Sequence, residues 1–260
     1  MTAEQIDFTT VSESQGTLIS REAMDMARTR YTFAAELCRG KRVLEVACGP
    51  GAGLGMLAAQ ALRVVGADYT FSLLRQGAAH YKGRIPLVRL DAGHLPFGAD
   101  TFDVVVLFEA IYFLPDVPAF LASCHRVLGP GGTLVIGTVN PAWDAFNPSP
   151  HSTRYWSAEE LDALARAQGF KPELYAAFPA SDASLRGQIT AVVKRLAVRY
   201  HLMPRTMKGK AFLKRVAFGR LDRFPAELGA GTGTYHEPTA LADARSASGF
   251  KVLYVKARKR

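Results

Sequence analysis

Three glycines and three acids in this chain have the residue types and spacing to hold a nucleoside-like ligand. In EVACGPGAG, residues 45–53, glycines at 49, 51 and 53 remove the side chains that would keep a backbone turn away from a ligand. A helix starting after such a turn presents free amides and the positive end of its dipole, so the turn can cradle an adenosine derivative. The dinucleotide fingerprint G-x-G-x-x-G fails here: counted from Gly49 it needs glycine at Leu54, and from Gly51 at Met56. Glu45, four residues before the first glycine, places a carboxylate under the turn, where it would repel a diphosphate but could meet the amino end of a zwitterion. Asp68 ends the segment RVVGAD nineteen residues after Gly49, and a carboxylate there can accept both hydroxyls of a ribose. Asp91, followed by Ala92 and the loop HLPF, can take an adenine amino group while apolar neighbours cover the ring.

The elements needed to hold those residues follow from hydrophobic periodicity. RVLEVAC, RVVGAD, PLVRLDA, DVVVLFE and TLVIGTV are short continuous apolar runs that read as strands. Between them GLGMLAAQAL, SLLRQGAAHY and PAFLASCHRVL read as helices, and LISREAMDMARTRYTFAAEL forms a helix before the first strand. Strands alternating with helices imply a largely parallel sheet covered on both faces, which suits strands that are apolar throughout. A Pro-Gly-Gly turn at 130–132 separates the fifth strand from the helix before it. The segment PAWDAFNPSPHSTRY then reads as a loop over the carboxyl edge of the sheet, and Ser157 with Glu160 forms a capping box for the next helix. ELYAAF and KVLYVKA complete seven strands, with about seventy residues between them where a plain sheet needs only a hairpin. The expected organisation is a loose N-terminus over 1–16, a Rossmann-like domain over 17–180, a basic helical insertion or lid over 181–245, and a final strand with a basic C-terminus over 246–260.

Composition narrows the class. The chain has 260 residues and 48% hydrophobic content, enough for one full α/β core. Three cysteines, Cys38, Cys48 and Cys124, lack paired spacing and favour a reducing cytoplasm. The longest apolar run, VVVLF, stops at Glu109 far short of a membrane span, and six histidines without H-E-x-x-H or a Cys/His cluster give no metal site. The net charge of +9 is concentrated: eleven Lys/Arg against Asp222 alone lie between Arg186 and Arg223. There Leu185, Ile189, Val192, Val193, Leu196 and Tyr200 follow a helical stripe.

The ordered set VLEVACGPGAG, VVGADYT, LDAGHLPF, FDVVVLFEAIYFL and RVLGPGGTLVIGTVN resembles the class I S-adenosylmethionine-dependent methyltransferases over roughly residues 27–140. The resemblance implies that Glu45, Ala47, Gly49 and Gly51 hold the methionine part of the cofactor. It places Asp68 and Tyr69 at the ribose, Asp91 and Ala92 at the adenine, and Phe108 with Glu109 beside the sulfonium. Tyr31, in RTRYTFA, resembles the aromatic that members of this group place near the cofactor carboxylate. Two departures are small: Cys48 follows an alanine where glycine is common, and Pro50 stiffens the turn. The implied reaction is direct transfer of a methyl group to a nucleophile aligned behind it, with proximity supplying most of the acceleration.

A general base is needed only for a poorly ionised acceptor, and the sequence offers Glu109, His151 in the loop over the sheet edge, and His236 after the Gly-rich stretch GAGTGTYHEP. Tyr112, Tyr155 and Trp156 are further candidates to line an acceptor pocket. The expected acceptor is a small molecule methylated on O, N or C, an anionic one if the basic insertion acts as its lid. The pattern around PSPHSTRYWSAEEL resembles bacterial methyltransferases of specialised metabolism and surface glycan assembly. An RNA methyltransferase is the alternative, disfavoured by sparse aromatics in the basic run and the lack of a recognisable RNA module. A non-catalytic nucleotide- or partner-binding module is the second alternative.

Overall fold

A computed structural model describes residues 7–143, 146–180 and 221–260. In chain order these form β1 (Leu18–Ser20), α1 (Arg21–Leu37), β2 (Arg42–Val46), α2 (Leu54–Ala58), β3 (Arg63–Asp68), α3 (Phe71–Tyr81), β4 (Leu87–Arg89) and β5 (Phe102–Phe108). They continue through α4 (Val117–Val127), β6 (Leu128–Val139), α5 (Ala158–Ala167), β7 (Phe170–Pro179), β8 (Leu221–Arg223), β9 (Thr239–Ala240) and β10 (Phe250–Lys259). The main sheet has the order β4-β3-β2-β5-β6-β10-β7-β9. Strands β2 to β6 pair in parallel, and β10 enters antiparallel between β6 and β7. Seven strands were expected; the eighth is the two-residue β9, too short to leave a periodic signal, which pairs with β7 at the sheet edge.

Alternation along β5 explains the two-sided core. Val104, Val106 and Phe108 share one cluster with Ala27 and Tyr31 of α1, Leu54 and Leu57 of α2, and Leu74 and Tyr81 of α3. Val105 and Leu107 share the other with Phe120, Leu121 and Cys124 of α4 and Leu161 and Ala165 of α5. Successive side chains of a strand point to opposite faces, so a strand covered by helices on both sides must be apolar at every position. Each fully buried Leu or Phe in these layers contributes roughly 1.5–3 kcal/mol by leaving water.

Local chemistry sets the helix starts. Ser157 accepts the Glu160 amide on Oγ while the Glu160 carboxylate accepts the Ser157 amide, as the capping box predicted. Asp116 caps α4 through the Ala119 amide, with Pro118 in the first turn where its missing N–H costs nothing. The first helix begins later than its apolar pattern suggested. Ser20 caps it at Arg21, and Leu18–Ser20 are drawn into β1, paired antiparallel with Leu221–Arg223. Pro130–Gly132 do not separate two elements: they lie within β6, where its register against β5 shifts between Phe102 and Val104.

Two expectations about organisation change. Residues 7–16 are not a loose tail, for Phe8 packs on Tyr69 and Phe113, Gly16 donates to the Phe224 carbonyl, and Asp7 caps a short 3₁₀ turn. The apolar stripe and most of the basic run of the insertion lie outside the described residues. Its described part, 221–245, forms strands and turns: β8 joins β1, Leu228 donates to the Ala52 carbonyl, and Glu227 meets His80 Nε2 at 2.6 Å and Arg84 at 3.2 Å. The N-terminal segment and this strap therefore meet over the carboxyl ends of β2, β3 and β5.

Candidate cofactor and acceptor site

The strand ends open into one cavity of about 660 Å³, a size ordinary for cofactor and substrate sites. Its inner half is the glycine turn. Gly49 has φ +58°, a left-handed conformation, and a Cβ built there meets nothing within 4 Å, so the missing side chain leaves open space at the cavity wall. Gly53 serves a different need: a Cβ there would fall 1.9 Å from Cε1 of Tyr31, whose ring lies across the turn. Gly51 and Glu45 do not line the cavity. Gly51 makes room for Leu54 and Tyr81, and the Tyr81 hydroxyl donates to its carbonyl at 2.6 Å.

Glu45 lies one layer beneath the turn, 1% exposed, where its Oε1 accepts the Tyr31 hydroxyl at 2.6 Å and its Oε2 has no partner among the described residues. Burial pushes its carboxyl up to about 7, against the opposing effects of the Tyr31 hydroxyl and the Arg30 charge. Its direct role is thus to fix Tyr31, with the orphaned oxygen adding negative charge below the turn.

Asp68 does two jobs. Its Oδ2 accepts the Gly49 amide at 2.8 Å and its Oδ1 the Thr70 amide at 2.7 Å, so it braces the turn and the start of α3. It also lines the cavity beside Tyr69, leaving further lone pairs for a ribose. Burial raises its pKa, with the two amides working in the opposite direction. Asp91 is held more lightly, its side chain accepting only the Gly93 amide among the described residues, at 2.8 Å, and stands at the wall with Leu90 and Ala92. Gly49, Asp68, Tyr69, Asp91 and Ala92 thus line one cavity, with open space in front of Gly49.

The outer half is mostly apolar, formed by Met26, Phe113, Leu114, Val139, Trp143 and Phe224 among others. At the junction of the halves stands Glu109, just beyond β5, with φ +50°. Ala47, at the corresponding point beyond β2, has φ +57°. Left-handed backbone at a non-glycine residue costs roughly 1–2 kcal/mol, and both instances aim chain ends into the cavity. Burial pushes Glu109 up to about 7, with the nearby Arg30 charge acting against it, and Tyr112 donates to its Oε2 at 3.3 Å. Phe108 precedes it and packs edge-on against Tyr31 at 5.2 Å.

Of the other candidates, His151 lines the cavity mouth with φ +67°. His236 does not reach the cavity: its ring lies 3.7 Å from Asp25 and packs on Phe178, while its amide donates to Thr29. Removing it from the catalytic candidates follows from that placement. Tyr112 lines the cavity and stacks on Tyr155 at 4.7 Å, while Trp156 lies behind, under the Arg154 guanidinium. The sequence reading missed Arg30, Lys251 and the residues of the strap and N-terminal segment, Phe8, Val11, Glu13 and Phe224, all at the wall. Phe8 and Val11 are apolar residues in a polar stretch, a faint sign that the stretch packs on something. Among the described residues no group of His, Cys, Asp and Glu could hold a metal ion, and no helix is long and apolar enough to cross a membrane.

Residues 44–136 match a family model described as a methyltransferase domain. The chain is 37% identical over 152 residues to a protein of Mycolicibacterium smegmatis named a probable S-adenosylmethionine-dependent methyltransferase, covering 55% of this chain and 57% of the other. Over 109 residues it is 40% identical to the phthiotriol/phenolphthiotriol dimycocerosates methyltransferase of Mycobacterium leprae, covering 40% and 39%. It spans about half the length of the curated relatives it matches. Among solved structures, the YcgJ protein of Bacillus subtilis superposes with a TM-score of 0.58 at 18% identity over 89% of this chain and 98% of its own, a likeness of fold.

Proposed function

We propose that the chain is a class I S-adenosylmethionine-dependent methyltransferase that methylates a small molecule with an apolar body, using Glu109 to take the acceptor's proton. The observation that carries this reading is the single cavity, in which the Gly49 turn with Asp68 and Asp91 on one side is joined at Glu109 to a largely apolar chamber on the other. When bound, S-adenosylmethionine supplies a methyl group on positive sulfur, already activated for displacement. The residues around it have four tasks. Asp68 and Asp91 hold the nucleoside; Tyr31, fixed by Glu45 and pressed on Gly53, closes the turn side. Phe8, Phe113 and Phe224 exclude water from the reacting centre. Glu109, with a carboxyl near 7, is poised to accept a proton from a hydroxyl or an acidic carbon as the new bond forms.

A small acceptor is supported by the enclosure: residues 7–20 and 221–229 cross the mouth and leave a chamber suited to a small body. The M. leprae relative is named for phthiotriol and phenolphthiotriol dimycocerosates, lipids and not nucleic acids, which supports the apolar character of the acceptor. The test is incubation with labelled S-adenosylmethionine and candidate metabolites, read as a gain of about 14 Da on the acceptor, the mass of the group transferred. Label appearing only in RNA would overturn the small-molecule reading.

A further inference from the structure

We propose that Arg30 is the anchor for a carboxylate on the acceptor, and that Glu13 of the N-terminal segment occupies that anchor until the acceptor displaces it. The proposal rests on the methyltransferase reading above and adds the chemical class of the acceptor.

Arg30 lies on α1 at the cavity wall and is 7% exposed. A guanidinium carries five N–H donors, and burial of an arginine this deep requires acceptors for them. Among the described residues its one hydrogen-bond acceptor is the carboxylate of Glu13, and its Nε is buried without any. Burial works against its charge, and Glu13 with Glu109 more than offsets that, so the group stays cationic. The neighbourhood is therefore a fixed positive fork at the wall of a mostly apolar chamber, short of oxygen partners.

Glu13 differs from Arg30 in how firmly it is held. Its side chain is 37% exposed, and it belongs to a segment that reaches the site through Phe8, Gly16 and β1, not through the sheet. Exchanging this carboxylate for one on the acceptor preserves the local charge, including the field felt by Glu109, and returns Glu13 to water at little desolvation cost. A planar carboxylate matches the guanidinium in a two-bond fork, which a neutral amide of the same shape cannot do with equal strength. Met26, Trp143 and Val139, also on the wall, would receive the apolar body attached to it.

The experiment uses the full chain saturated with S-adenosylhomocysteine, titrated with 2-naphthoate and with its neutral isostere 2-naphthamide, each followed by calorimetry. The expected result is a preference for 2-naphthoate of roughly tenfold or more, the scale of a charge-assisted pair over a neutral one. Glu13→Gln should tighten 2-naphthoate several-fold and leave S-adenosylhomocysteine unchanged, because the competitor is weakened. Arg30→Met should erase the preference. If the buried Arg30 variant does not fold, Glu13→Gln alone decides, since that half-buried side chain is replaced by one of the same size. Equal binding of the two probes, or Glu13→Gln without effect on 2-naphthoate, would overturn the proposal while S-adenosylhomocysteine binding persists. Loss of S-adenosylhomocysteine binding by the unaltered chain would instead overturn the reading on which it rests.

Discussion

Replacing Glu45 with Gln tests whether the buried acid beneath the glycine turn is held at an energetic cost. In the folded chain its carboxyl is pushed from 4.5 to about 7 by burial. A carboxyl raised on folding contributes stability that is present below its unfolded value near 4.5 and lost as pH rises through about 7. Over that window the loss is on the order of 3 kcal/mol, at 1.36 kcal/mol for each pH unit of displacement. Gln keeps an oxygen for the Tyr31 hydroxyl and removes the charge. Its amide nitrogen takes the place of the unpartnered Oε2, a pH-independent cost of about 1–3 kcal/mol. The absolute change in melting temperature is therefore small at high pH and negative at low pH, and the informative quantity is its change with pH. About 2.5 kcal/mol of that loss falls between pH 5 and pH 8.5, so differential scanning fluorimetry of both proteins at these two values should show the Gln variant gaining on the parent by about 5–10 °C, at roughly 2–4 °C per kcal/mol for a chain of this size. Glu109 titrates in both proteins and cancels. A melting difference that is the same at both pH values would refute the assignment of a strained, ionisable Glu45.

Glu109→Gln should lower methyl transfer by about 10²–10⁴-fold while leaving S-adenosylhomocysteine affinity within a factor of two, as expected on losing a proton acceptor. The parent rate should climb as pH passes through about 7, where this raised carboxyl ionises, and the variant should lose that limb; a single-turnover pH profile reads both. Gly53→Ala places a methyl group 1.9 Å from the Tyr31 ring, which must swing off Glu45. Thermal or urea denaturation should register a loss of about 1–3 kcal/mol, the usual cost of overpacking, and a wild-type melting curve would contradict the close approach.

The parts of the site legible in the sequence were those encoded locally. Asp68, Asp91 and Glu109 stand at or just beyond strand ends, where a short apolar run stops at an acid, and the glycine turn announces itself by spacing. The capping box at Ser157 was legible for the same reason, because both partners lie within one turn. What failed was non-local. Nothing in LIS at 18–20 says that it will pair with LDR at 221–223 and not extend the helix that follows. The N-terminal segment looked loose because it is polar in sequence, and the contacts that hold it are distant: Phe8 packs on Tyr69 and Phe113, and Glu13 pairs with Arg30. Arg30 was hidden in the opposite sense: a charged residue on a helix is ordinarily solvated, and only the arrival of Glu13 and the sheet beneath it makes its burial visible. The hydrogen bond from Tyr31 to Glu45 was not legible either, since it joins α1 to β2 across fourteen residues of sequence and sets Glu45 one layer below the turn.

The central claim is that the Gly49 turn and its acids form an S-adenosylmethionine site, and Asp91 gives the cleanest test. Asp68 braces Gly49 and Thr70, so its loss would disturb the turn itself, whereas the exposed Asp91 side chain bonds only the Gly93 amide among the described residues. Calorimetry with S-adenosylhomocysteine should give micromolar binding to the parent chain. Asp91→Ala should weaken it by roughly 10–100-fold, the value of one hydrogen bond to a charged group, at an unchanged melting temperature. The absence of binding by the parent chain, or equal affinity in the variant, would contradict the account.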